Sequence, residues 1–204
     1  MLEVITGCMY AGKTSELLRR VQLSQIAGLK CFSYKHSLDE RYSSKFIATH
    51  PSPINPDTGQ TQYGECMPVR DAWELSCAVS DAINEGADVI SIDEIHFFNK
   101  EVISVLSSAA DRVRVIVAGL SLDAYGIPFD IMPDLLVEAD EIKLLYAVCT
   151  NKVTTKEKQT ICGKKATRTL ALETNDERKG AGPLISVGSY AKYAARCRTC
   201  WVWG

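Results

Sequence analysis

The sequence predicts an α/β protein: a parallel sheet flanked by helices and built on a phosphate-binding loop, followed by a small C-terminal unit held by metal. Three features predict it. Residues Gly7-Cys8-Met9-Tyr10-Ala11-Gly12-Lys13-Thr14 fit the pattern G-x-x-x-x-G-K-[ST]. Apolar strand-like and amphipathic helix-like segments alternate for most of the chain. Four of the eight cysteines, Cys149, Cys162, Cys197 and Cys200, fall in the last quarter of the 204 residues.

The loop has the context its chemistry needs. Leu2 to Thr6 form a short β-prone segment that runs into Gly7, and Leu17, Leu18, Val21, Leu23 and Ile26 recur at helical spacing up to Gly28. Gly7 and Gly12 let the backbone curl so that several N–H groups converge at a helix start, where an anion is favoured. Lys13 reaches the β- and γ-phosphates of a nucleotide, and the Thr14 hydroxyl takes one position on Mg²⁺.

The remaining elements follow in order. Residues 30–34 read as a second strand, and residues 35–64, with Pro51, Pro53, Pro56 and Gly59, as a long exposed loop with short hairpin pieces, a mobile cover over the nucleotide site. Asp71 caps a helix carrying Trp73, Cys77 and Ile83. Residues 87–92 form an apolar strand that delivers Asp93 and Glu94 to its carboxyl end, where open α/β sheets bind ligands. In that place Asp93 orients the metal and Glu94 accepts a proton from an attacking hydroxyl or water. Asn99 caps a helix holding Val102, Ile103 and Leu106. Residues 113–118 form the next strand, ending at Gly119 and Leu120. A turn at residues 126–129, a short helix around Leu135 and a last strand over residues 142–148 lead to Cys149.

Composition narrows the function classes. A net charge of −2 with both signs mixed gives no basic footprint for duplex nucleic acid. No stretch approaches the roughly 20 apolar residues of a membrane span, and the first strand begins where a signal peptide would lie, so a soluble cytoplasmic protein is expected. In a reducing compartment clustered cysteines hold metal more often than they form disulfides. Cys197-Arg198-Thr199-Cys200 is a C-x-x-C hook, and Cys149 and Cys162 complete four thiolates for a closed structural zinc site. Free thiols and a disulfide are the alternatives. Between the upstream two cysteines lie twelve residues, and the polar segment 152–158 is expected to bulge out as a hairpin without displacing either sulfur.

These motifs together resemble the cytosolic-type (type II) thymidine kinases from Leu2 to about Trp201. That family carries a G-P-M-F-[AS]-G-K-[ST] loop, a D-x-R-Y segment, here Asp39-Glu40-Arg41-Tyr42, and a D-E-x-Q-F-F strand end, here Asp93-Glu94-Ile95-His96-Phe97-Phe98. It closes with Y-x-x-x-C-R-x-[CH], here from Tyr193 to Cys200. The resemblance implies transfer of the γ-phosphoryl group of ATP to the 5′-hydroxyl of thymidine, with Glu94 as base, Mg²⁺ and structural Zn²⁺ as cofactors, and a homotetramer. It divides the chain into an ATP-binding α/β domain, residues 1–145, and a zinc-stabilised lasso domain, residues 146–204, that closes over the nucleoside. It also implies that Met9, Leu120 and Thr169 lie near the thymine methyl group, that Phe97 packs on the base, that Phe129 belongs to the substrate pocket, that Tyr193 lies against the nucleoside, and that Val187 and Gly188 pair with the base through their backbone.

The chain departs from that pattern at His96 for Gln, Ser121 for Asp, Ala124 for Phe with Tyr125 beside it, and Ala171 for Arg with Arg168 nearby. Two other functions compete with the kinase. A regulatory ATPase with a zinc-bound interaction module lacks support from the near-neutral charge. A kinase acting on a monophosphate needs several arginines at the acceptor, and Arg41, Arg168, Arg178 and Arg198 are few and differently placed.

Overall fold

The computed structural model describes residues 1–39, 46–48, 63–154, 159–172 and 193–202. The principal elements are β1 (Leu2–Gly7), α1 (Lys13–Ile26), β2 (Cys31–His36), β3 (Phe46–Ala48), β4 (Tyr63–Glu65), β5 (Met67–Val69), α2 (Ala72–Asn84), β6 (Val89–Asp93), α3 (Glu101–Ala110), β7 (Arg114–Leu120), α4 (Met132–Glu138) and β8 (Glu141–Leu145). Among the described residues, six strands pair in the order β5-β2-β6-β7-β1-β8, and every pairing is parallel. Parallel sheets are covered on both faces, which explains why β1 and β6 are buried along their whole length and show no alternation.

The helices cover the sheet with faces that differ in part from the sequence expectation. In α1 the buried residues are Leu17, Val21 and Ser24, whereas Leu23 and Ile26 are exposed. In α2 they are Ala72, Leu75, Val79 and Ala82; Trp73 and Cys77 face outward. Leu17 and Val21 face inward as expected, sharing the inward stripes with Leu75, Val79 and the small residues Ser24, Ala72 and Ala82, and residue size alone misplaced Leu23, Ile26, Trp73 and Cys77. Asp71 caps α2 as expected, its carboxylate accepting the Glu74 N–H at 2.9 Å. Asn99 does not cap α3: the N-cap is Lys100, and the Asn99 amide donates to Glu101 instead.

Three strands also differ. Met67-Pro68-Val69 forms β5, which the proline concealed; it is tolerated because β5 is an edge strand. The strand expected over residues 142–148 divides at Tyr146 into β8, inside the sheet, and a two-residue β9 (Ala147–Val148) that leaves it. The antiparallel pair β3 and β4 supplies the hairpin pieces expected in the long loop. The cover proposed for that loop falls largely on residues 40–45 and 49–62, outside the described residues.

Beyond β9 come β10 (Lys152–Thr154), β11 (Gln159–Ile161), β12 (Lys165–Ala166), β13 (Arg168–Ala171) and β14 (Tyr193–Arg196), joined in short antiparallel pairs: β10 with β11, β9 with β12, β13 with β14. The expected insertion hairpin is thus present.

The sheet buries charged residues, Glu3, Lys35 and Asp93 among them. Glu3 on β1 is 1% exposed and paired with Arg20 of α1 and Arg114 of β7, whose Nη2 donates at 3.0 Å. Burial alone would raise its pKa, but the two guanidinium groups outweigh it and hold the carboxyl below its ordinary 4.5. Stability from this group is therefore present in full above about pH 4.5 and is lost as pH falls through the depressed pKa. Glu3→Gln is expected to cost about 2 kcal/mol at pH 7, because Arg114 loses its paired carboxylate while Arg20 keeps Glu16 and Glu141. Urea titrations at pH 7 and pH 3 check it: the gap between wild type and variant should narrow at the acidic pH.

Candidate active site and cysteine centre

Parallel pairing of both β1 and β6 with β7 brings the carboxyl ends of β1 and β6 to one edge of the sheet. At the end of β1, Gly7 adopts φ 150°, and a Cβ there would stand 2.3 Å from the Leu145 carbonyl oxygen, so no other residue fits. The loop then turns through Tyr10 (φ 65°) and Gly12 (φ 83°) into α1. Lys13 Nζ donates to the Cys8 carbonyl at 2.9 Å, which holds the ammonium over the loop.

Thr14 at the start of α1 joins this loop to β6. Its Oγ1 donates to Asp93 Oδ2 at 3.0 Å, while Asp93 Oδ1 accepts the Glu94 N–H at 2.9 Å. Two hard oxygen donors, a hydroxyl and a carboxylate, meet beside a phosphate-binding loop, a donor set that fits Mg²⁺. Glu94 is a non-glycine residue in the left-handed region (φ 55°, ψ 39°), an outlier that costs about 1 kcal/mol and recurs where a side chain must be aimed. It turns the chain into a 3₁₀ turn, Ile95–Phe97, that carries the next site residues.

His96 is central to that turn. Its Nδ1 accepts the Leu120 N–H at 3.2 Å and lies 3.5 Å from Glu94 Oε2. Because Nδ1 is an acceptor, it carries no proton and the contact with Glu94 is not an ion pair. The ring packs on Phe97 (4.2 Å between centroids) and edge-on to Phe129 (4.5 Å). Phe129 is buried in the core against His96, and Phe97 is partly exposed. The turn after β7 is fixed by Asp123, whose carboxylate accepts from the N–H groups of Tyr125 and Ile127.

The other expected nucleoside residues lie on the strands beyond the sheet. Thr169 is buried on β13, and its Oγ1 accepts the Met9 N–H at 3.1 Å. Tyr193 begins β14, paired with Ala171. Val187, Gly188, Arg41 and Arg178 lie outside the described residues. Sequence reasoning missed Trp201, which crosses from the cysteine hook to the turn after β7. Its indole N–H donates to the Thr169 carbonyl at 2.9 Å, and its ring covers Gly126, where a Cβ would come within 2.7 Å. An aromatic one residue past a metal hook, matched to a glycine in a distant turn, was the available signal.

The cysteine centre is assembled by backbone bonds. β10 and β11 carry the chain out and back, so that Cys162 N–H donates to Asn151 O at 2.8 Å and Gly163 N–H to Cys149 O at 3.0 Å. In the hook, the N–H groups of Cys200 and Trp201 both donate to the Cys197 carbonyl. All four sulfurs lie within 4.8 Å of one another, with Cys162 and Cys197 at 3.9 Å. Tetrahedral zinc–thiolate bonds imply a sulfur separation of about 3.8 Å, so the set fits zinc and leaves no ligand position open. None of the eight cysteines is in a disulfide. Burial opposes ionisation of Cys197, but hydrogen bonds from the Cys200 backbone and the neighbouring thiols bring it down to about 7. Burial and that same neighbour push Cys200 up to about 12.

A family model described as thymidine kinase matches residues 1–201. The chain belongs to the thymidine kinase family. It is 38% identical to the thymidine kinase of Thermococcus kodakarensis over 198 residues, covering 97% of this chain and 91% of that one. It is 36% identical to that of Deinococcus deserti, covering 97% and 92%. Among solved structures, the genome packaging NTPase of Sulfolobus turreted icosahedral virus 2, in complex with sulfate, aligns at a TM-score of 0.46 and 18% identity over 72% of this chain and 74% of that one. No helix among the described residues is long and apolar enough to cross a membrane.

Elemental analysis should find about one zinc per chain, and Cys197→Ser should abolish it and lower the melting temperature. Protons compete with zinc for thiolates, so zinc should also be released more readily as pH falls. Metal content unchanged in Cys197→Ser would overturn the assignment.

Proposed function

We propose that the protein transfers the γ-phosphoryl group of ATP to the 5′-hydroxyl of thymidine, giving thymidine monophosphate and ADP. The observation that carries the reading is the convergence of Lys13, Thr14, Asp93 and Glu94 at one sheet edge in a chain of this family. Backbone N–H groups of the loop from Gly7 to Thr14 hold the donor phosphates, and Lys13 leaves the Cys8 carbonyl to meet the β- and γ-phosphates. Thr14 and Asp93 would hold Mg²⁺, which would supply charge neutralisation at the transferring phosphate.

Glu94 is the base in this reading. As the nucleoside O5′–Pγ bond forms and the bond from Pγ to the β–γ bridging oxygen breaks, the hydroxyl proton passes to the Glu94 carboxylate and ADP leaves. Burial of Glu94 and its fixed left-handed backbone support that role, since both limit where the carboxylate can point. The acceptor pocket is read as Met9, Phe97, Leu120, Thr169 and Tyr193, walled by Phe129 behind His96, with Val187 and Gly188 reaching the base. His96 replaces the family glutamine as a neutral hydrogen-bonding side chain, consistent with its acceptance of the Leu120 N–H. We further read the working state as a cytoplasmic homotetramer, and the chain as an ATP-binding part, residues 1–145, with a zinc-held part, residues 146–204, over the nucleoside.

Labelled γ-phosphate should pass from Mg-ATP to thymidine and not to thymidine monophosphate. Acceptor-independent phosphate release would move the function to an ATPase. Glu94→Gln should keep ATP affinity within about twofold and lower kcat by at least about 100-fold, the usual contribution of a positioned base. Near-normal turnover in that variant would remove Glu94 from the mechanism.

A further inference from the structure

Three consecutive residues of the phosphate-binding loop make contacts that holding phosphate does not require. Cys8 Sγ donates to the Ala166 carbonyl at 3.2 Å, the Met9 N–H donates to Thr169 Oγ1 at 3.1 Å, and the Tyr10 hydroxyl donates to the Tyr193 carbonyl at 3.2 Å. The three acceptors sit on β12, β13 and β14, short strands of the unit in which the cysteine centre lies, β12 pairing with β9 before Cys149 and β14 running into Cys197. The loop is therefore stitched to that unit at every residue from 8 to 10.

Packing and backbone geometry agree with the hydrogen bonds. Cys8 is buried in one apolar cluster with Ala166, Ala195 and two of the four clustered cysteines, Cys149 and Cys197, and Tyr10 packs against the same cluster. Burial raises the Cys8 thiol above its ordinary range, so at neutral pH it keeps the proton it donates. Tyr10 sits in the left-handed region (φ 65°), which a bulky residue adopts only when its surroundings hold it there. The Cys8 carbonyl, on the same residue as the first stitch, is the partner of Lys13 Nζ. Any displacement of Cys8 thus moves the group that positions the lysine. The family pattern has Pro and Phe at the positions of Cys8 and Tyr10, and neither carries a side-chain donor.

We propose that Cys8 and Tyr10 are positioning residues that lock the phosphate-binding loop onto the cysteine-held strands, so that metal binding in that unit and nucleotide binding in the loop are energetically coupled. The inference rests on the reading of the loop as the ATP site. The alignment of donor phosphate with acceptor hydroxyl then depends on the register between loop and strands, which these side chains set. Linkage makes the coupling reciprocal: whatever factor ATP adds to zinc affinity, zinc adds to ATP affinity.

The test uses the zinc-loaded chain and three variants: Tyr10→Phe, which deletes one hydroxyl, Cys8→Ala and Cys8→Ser. Zinc is titrated off with a chelator, with and without saturating ATP, and ATP binding is measured on the same samples. In the wild type, ATP should raise the chelator midpoint at least about threefold, the equivalent of one neutral hydrogen bond. That factor should fall towards one in Tyr10→Phe, with zinc content and melting temperature unchanged. Turnover should drop about threefold to tenfold in kcat, with ATP affinity of the zinc-loaded chain weakened by about the lost coupling factor and KM for the acceptor within twofold. Cys8→Ser, which restores a donor, should recover coupling that Cys8→Ala loses. ATP that binds the wild type but leaves the chelator midpoint unmoved would overturn the coupling while sparing the site. No ATP binding by the wild type would overturn the site reading and the coupling with it. Loss of zinc and melting temperature in Tyr10→Phe, in proportion to lost turnover, would reduce its role to stability.

Discussion

Everything at the site depends on the parallel pairing of β1 and β6 with the single strand between them. Because Gly7 lies opposite Leu120 and Ile92 opposite Val117, both strands end towards the carboxyl end of β7, one on each side of it. The Thr14–Asp93 hydrogen bond spans the interval left between them. A parallel sheet gives no choice here: chain direction alone decides that the loop after β1 and the carboxylates after β6 emerge at one edge. The buried Glu3 network, with Arg20 from α1 and Arg114 from β7, ties β1 to β7 and to α1 away from that edge.

The strands beyond the sheet are short, and a metal at the four cysteines, which fit zinc, would supply what a larger core supplies elsewhere. β10 and β11 return Cys162 to Cys149, the hook folds Cys197 and Cys200 back on one carbonyl, and the four sulfurs converge. A unit held by one centre can be rigid enough to act as a template. Its contacts with residues 8–10, and Trp201 on Gly126, run to both the donor loop and the turn after β7. Stability and alignment are therefore the same problem in this part of the chain.

Strain is concentrated where chemistry is expected. Among the described non-glycine residues, positive φ occurs at Tyr10 and Glu94, one in the phosphate loop and one at the end of β6. Each is fixed by neighbours: Tyr10 by the Tyr193 carbonyl, and Glu94 by the Asp93 carboxylate and the packed turn that carries His96. A relaxed backbone at either position would point the side chain elsewhere, so the cost of strain and the aim of the group go together.

Local order in the chain was sufficient for much of this. The loop pattern, the acidic pair closing an apolar strand, and the four cysteines each depend on residues near one another in sequence, and backbone geometry follows from such neighbours. The sequence by itself therefore determined the fold class, the family, the Asp71 cap, the hairpin between Cys149 and Cys162, and the candidate roles of Lys13, Thr14, Asp93 and Glu94. Contacts between distant segments were not legible in that way. The outward turn of Leu23, Ile26 and Trp73, the edge strand through Pro68, the core position of Phe129, and the pairing of Cys8, Met9 and Tyr10 with β12 to β14 were decided by tertiary structure, because hydrogen bonds and packing between segments distant in sequence leave no periodic trace in either one.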